Sequence, residues 1–249
     1  VSGHLPHVLR LAAGERDERT NRHLAYLLAW VAGALNSVGF VAVGFYTSHM
    51  TGIVATVADQ LVLGGTHLVL FGLVALVAFV LGAMACAHQF NWARRRHRRD
   101  RFALVLFVEA VLILIVGALA EEVTWVHREW LIVATLGFVM GQQNALITKV
   151  SDATIRTTHI TGMVTDIGIE LGKMTYLKRA GDPDPVRGDL RKLLMLSTLV
   201  ALFFVGGVLG ALGYLAVGFP VLLVPAVLLL AVAVPPLVGG RLPVGDHVP

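Results

Sequence analysis

The chain has 249 residues, of which 56% are hydrophobic and only 14% charged, with a mean hydropathy of +0.76. Soluble domains sit near roughly 45–50% apolar and 25% charged, so a water-soluble globular enzyme is excluded as a starting point. The net charge of +4 and a pI near 9.6 do not indicate a nucleic-acid partner, because the basic residues lie between apolar blocks, where membrane topology accounts for them.

Residues 1–23 mix Glu15, Asp17 and Glu18 with Arg10, Arg16, Arg19 and Arg22 and have no apolar core or small-residue cleavage site. They read as a cytoplasmic tail. A first span is expected at Leu24–Gly44, with Asn36 beyond its middle. Thr47-Ser48-His49-Met50-Thr51-Gly52 follows and leads into Thr51–Leu63, which Gly64-Gly65 ends. A helix of 13 residues is about 20 Å long, short of a hydrocarbon core of about 30 Å. It is expected to be re-entrant or interfacial.

Spans at His67–His88 and Phe102–Ala120 come next, separated by the basic run Arg94–Arg101. That run reads as a topology anchor, with anionic-lipid binding as the functional alternative. The single cysteine, Cys86, lies in an apolar run and is expected to pack. Glu109 is a lone acid near the centre of its span; intramembrane carboxyls are functional candidates by default, so it is a candidate for proton coupling.

Residues 121–129, opened by Glu121-Glu122, form an expected external loop. A span at Trp130–Thr148 then carries Asn144, followed by Thr157-Thr158-His159-Ile160-Thr161-Gly162 and the short stretch Thr161–Met174. A charged loop leads to spans at Leu193–Val217 and Phe219–Leu237, and residues 239–249 read as a second cytoplasmic tail. Gly206 and Gly210 let helix backbones approach closely, within the chain or between copies of it.

Both six-residue stretches read T-[ST]-H-[MI]-T-G, so the chain carries an internal duplication. The strong basic loop follows the third segment of the first copy but the second segment of the other. If both face the cytoplasm, the copies have opposite topology. The expected architecture is all-α and polytopic: two inverted repeats, 24–120 and 130–238, each of three transmembrane helices and one short re-entrant or broken helix, with both termini cytoplasmic. The rival, with both short stretches crossing, places the Lys173–Lys192 loop outside.

Inverted re-entrant helices bring Thr51-Gly52 and Thr161-Gly162 toward mid-membrane from opposite sides. Helix N-termini favour anions, and threonines can cap the exposed N–H groups. The candidate substrate or pore-lining residues are Asn36, His49, Thr51, Gly52, Asn144, His159, Thr161, Gly162 and Asp166. In the plainer reading the histidines brace the bend and the two asparagines hold helices together. Asp166, which stands where the first copy has Thr56, reads as a polar gate or a partner of Arg156. Asp59 and Glu170 read as solvated at the interface. There is no G-x-S-x-G, H-E-x-x-H or phosphate-binding glycine loop, and the histidines lack metal-ligand spacing. No enzymatic activity, cofactor or metal is expected. The expected partners are the lipid bilayer, a small solute and a second copy of the chain.

Gly33-Ala34-Leu35-Asn36 before Ser48-His49-Met50-Thr51-Gly52, and Gly141-Gln142-Gln143-Asn144-Ala145 before Arg156-Thr157-Thr158-His159-Ile160-Thr161-Gly162, resemble the YoaK family of bacterial inner-membrane proteins, a domain-of-unknown-function group. The resemblance covers residues 24–238. It implies a multi-pass protein of the bacterial cytoplasmic (inner) membrane and brings no established activity with it. The resulting expectation is a transporter or channel for a small polar or anionic solute, with its site between the repeats. The alternatives are a membrane-embedded enzyme and a non-transporting structural or lipid-interacting protein.

Overall fold

The computed structural model describes residues 18–96, 100–123, 128–150, 158–176 and 186–239. Expectations about Arg156, Thr157 and residues 1–17 and 240–249 lie outside the described residues. Six helices are long and apolar enough to cross a membrane: α1 (Glu18–Val43), α3 (Thr66–Arg95), α4 (Arg101–Leu119), α5 (Arg128–Val150), α7 (Leu190–Val217) and α8 (Leu223–Gly239), the last entered through a 3-10 turn, Phe219–Leu222. Two shorter helices, α2 (Met50–Leu63) and α6 (Ile160–Thr175), follow the two histidine motifs. The protein is an all-helical polytopic membrane protein.

Several helices extend beyond the apolar runs that define them. α1 begins at Glu18, inside the expected tail, because Thr20 is buried against the bundle. α3 continues through Gln89–Arg95, where long basic side chains reach the interface while their backbone stays helical. α7 starts at Leu190 because Asp189 caps it, its Oδ1 accepting from Arg191 N at 2.9 Å and Lys192 N at 3.1 Å.

Side-chain contacts fix which helix ends share a side. Phe45, just past the end of α1, packs edge-on against Phe71 near the start of α3, centroids 5.2 Å apart. His67 in the first turn of α3 meets Trp130 in the first turn of α5 at 5.3 Å. The end of α1 and the starts of α3 and α5 therefore lie together, on what we term the far side. At the near side Phe90, late in α3, packs against Phe102, early in α4, at 4.9 Å. Since α1 ends where α3 begins, α2 returns to the side it left. Gly44 and Gly64, with φ of +70° and +81°, make the two reversals that this path needs.

The bundle is held by close backbone crossings between α1 and α7 and between α3 and α5. A Cβ on Gly33 would lie 2.8 Å from the Phe203 carbonyl carbon, and one on Gly206 2.9 Å from that of Trp30. The α3–α5 crossing repeats this contact: a Cβ on Gly141 would lie 2.7 Å from the Phe79 carbonyl carbon, and one on Gly82 2.8 Å from that of Phe138. The registers match too, since Trp30 precedes Gly33 as Phe138 precedes Gly141, and Phe79 precedes Gly82 as Phe203 precedes Gly206, each by three residues. In lipid, where no hydrophobic force drives helices together, small residues at such crossings supply the dispersion contacts. Gly206 and Gly210 are thus spent inside the chain, on Trp30 and Ala34 of α1, and the intermolecular use of this pair is corrected. α2 lies on α3 and α6 on α7, while α4 pairs with α8.

Candidate functional site

Past Val43 the chain doubles back along α1. Asn36 Oδ1 accepts from Ser48 N at 3.1 Å and from Ser48 Oγ at 2.9 Å, and Thr47 is fully buried beside Gly39. Asn36 stands seven residues before the end of α1, so α2 starts about 10 Å below the far end of that helix. The second loop is tied in the same way, Thr158 Oγ1 donating to Asn144 Oδ1, while Asn144 Nδ2 donates to Met140 O at 2.7 Å. Each asparagine thus holds the residue before a motif histidine, Ser48 or Thr158, against its own spanning helix.

The histidines have a defined local role. His49 and His159 are the N-cap residues of α2 and α6, with no side-chain hydrogen bond to the helix start. Each ring instead folds over the glycine three positions on: a Cβ on Gly52 would sit 2.6 Å from His49 Cε1, and one on Gly162 2.8 Å from His159 Cε1. This accounts for the H-x-x-G spacing in both copies. It also corrects the expectation that threonines cap these helix starts. Thr51 and Thr161 are exposed, and the Thr161 carbonyl accepts from Thr165 Oγ1 at 2.9 Å.

A cavity of about 280 Å³ opens beside the first motif, bounded by Tyr46, His49, Gly52, Thr56 and Leu68. The second-motif residues His159, Thr161, Gly162 and Asp166 do not line it. Gln143 Nε2 donates to the Leu28 carbonyl at 3.1 Å, which places Asn144 near the level of Leu28. Leu28 lies eight residues from Asn36 along α1, about 12 Å. The two motifs are therefore staggered across the bundle, one toward each side, and do not converge at one point.

Between them lie buried amides that the sequence did not single out as site residues. Gln142 and Gln143 are fully buried. Gln142 Nε2 donates to Val105 O at 2.9 Å, and each Oε1 lacks a hydrogen-bond partner among the described residues. Glu109 stands one helical turn beyond Val105, fully buried, and both of its oxygens likewise have no partner among the described residues. Their signal in the sequence was consecutive glutamines inside an otherwise apolar span, where polar side chains are costly.

The acids of the short helices divide. Asp59 is exposed, as expected. Glu170, expected to be solvated, is 2% exposed and corrects that reading: its Oε2 accepts from Asp189 N at 2.9 Å and its Oε1 from Lys173 Nζ at 3.0 Å. Hydrogen bonding from the Asp189 backbone, then from Lys173, holds its carboxyl below the usual range. Asp166 lies at the near-side rim, 3.7 Å from Lys192, a half-exposed pair of the kind worth little by itself.

A family model described as "Protein of unknown function (DUF1275)" matches residues 24–235. No curated protein matches the chain, and no solved structure does.

Proposed function

The chain belongs to the DUF1275 family, proteins of unknown function, and from that premise we propose that it is a transporter or channel for a small polar or anionic solute. In this reading its path runs between two inverted halves, from the cavity at His49, past Asn36, Gln143 and Asn144, to the second histidine motif at His159, with Thr51, Gly52, Thr161 and Gly162 shaping the two helix starts and Asp166 at the exit.

The observation that carries this reading is the run of buried amide acceptors between the two loops. The Oε1 atoms of Gln142 and Gln143 have no donor among the described residues, and leaving such an atom unsatisfied costs about 1–3 kcal/mol. A hydrated or solute-bearing passage supplies the missing donors. Glu109, equally without a partner among the described residues, is a carboxyl able to exchange a proton, and it supports coupling of transport to protons. The matched glycine crossings and matched asparagine ties support the inverted repeat. Among the described residues every lysine and arginine except Arg128 falls on the near side, which supports cytoplasmic termini. The paired motifs support the narrower likeness to the YoaK family and a bacterial inner-membrane location. We assign the protein no enzymatic activity, and its partners in this reading are lipid, solute and a second copy of itself.

The test is flux into proteoliposomes across a panel of small polar and anionic solutes. The proposal expects at least one to move faster than in protein-free vesicles, with that flux abolished by Gln143→Leu. A panel in which no solute moves faster overturns it.

A further inference from the structure

We propose that the near-side ends of α3, α4 and α5 form a binding site for a phosphate-bearing anionic lipid headgroup, with Arg101 and Lys149 as its cationic contacts and the Phe90–Phe102 pair as its floor. Arg101 Cζ lies 5.3 Å from the centroids of both Phe90 and Phe102, and Lys149 Nζ lies 5.4 Å from that of Phe90. Two cations from different helices thus converge on one aromatic ring. Neither has an ion pair among the described residues. Asp100, next to Arg101 in the chain, is 5% exposed and already engaged within the protein. Arg94 and Arg95, in the last turn of α3, and Arg96, stacked on Trp92 at 5.7 Å, extend the positive field around the corner.

The other half of the molecule argues against a purely structural role for these cations. Tyr214 follows Gly206 by eight residues as Phe90 follows Gly82, and it packs edge-on against Phe219 at 5.1 Å as Phe90 does against Phe102. At that corner a carboxylate is bonded to the turn, Glu121 Oε1 accepting from Phe219 N at 3.1 Å, and Arg128 lies within electrostatic reach of Tyr214 without a recorded stacking contact on either ring. Among the described residues the same aromatic pair thus packs with no cation stacked on its rings, and the packing of Phe90 on Phe102 does not call for Arg101 and Lys149. Cations held on aromatic faces at a helix end, facing the headgroup layer, suit a phosphate monoanion.

The experiment is native mass spectrometry of the full chain with equimolar phosphatidylglycerol and phosphatidylcholine. The wild type should retain phosphatidylglycerol preferentially, and Arg101→Gln/Lys149→Gln should lose that preference, by roughly fivefold for each cation removed. Arg94→Gln/Arg95→Gln removes the same charge from exposed positions and should change it far less. Equal loss in both double variants, or no preference in the wild type, overturns the proposal. Displacement of the lipid by millimolar inorganic phosphate would also overturn it, by identifying a free anion as the ligand. If the Arg101 variant fails to insert, Lys149→Gln alone, at an exposed helix end, carries the same comparison.

Discussion

Ser48 gives both its backbone N–H and its hydroxyl to one atom, Asn36 Oδ1, at 3.1 and 2.9 Å. That pair of bonds turns the end of a spanning helix into a loop that re-enters the protein. Without it the segment between Val43 and Met50 would carry unsatisfied backbone at membrane depth.

Replacing Asn36 by Ala should therefore destabilise the protein more than Ser48→Ala. The first leaves two donors of Ser48 stranded, whereas the second removes a donor and keeps the backbone bond. A difference of about 1–2 kcal/mol is expected from the cost of an unpaired, partly buried donor. Chemical unfolding in detergent measures it, and equal effects would contradict the tie.

Gly52→Ala should destabilise by about 1–3 kcal/mol, the usual range for forced overpacking, because its methyl would meet the His49 ring. Combining it with His49→Ala should recover most of that loss. Gly162→Ala and His159→Ala should behave as the equivalent pair. A double variant no better than Gly52→Ala alone would show that the histidine does not rest on the glycine.

Much of this organisation was legible in the chain, and the reasons differ by element. The spans announced themselves because apolar blocks separated by charge leave few other solutions, and α2 was recognisable as too short to cross. The glycine crossings were not legible as a set. Gly33, Gly82, Gly141 and Gly206 become equivalent only when α1 is laid on α7 and α3 on α5, a pairing that the sequence order conceals. Glu170 was misread for a similar reason, since its burial depends on the α7 start folding back across it. Gln142 and Gln143 were visible within a motif, but their burial between helices was not.

Glu170 gives a pH dependence of definite sign. Its carboxyl is held below the ordinary value of 4.5, so the folded state binds its proton less readily than the unfolded state. The stabilisation is full above that ordinary value and disappears as pH falls through the lowered one. The groups facing it are the Asp189 backbone N–H, Lys173 and Lys192, with Asp166 beyond Lys192. Thermal stability should hold constant from pH 7 to about pH 5 and drop below it, and Glu170→Gln should flatten the drop. An unchanged acid limb in that variant would assign the transition to another group.

The most direct test of the inverted, re-entrant arrangement is labelling of single cysteines at Leu63 and Tyr176, 75% and 65% exposed, with a membrane-impermeant maleimide in intact cells and in inverted vesicles, Cys86 being replaced by Ala. The account predicts that Leu63→Cys reacts only from the external face and Tyr176→Cys only from the cytoplasmic face. Reaction of both from the same face would mean that the short helices cross the bilayer, and would contradict it.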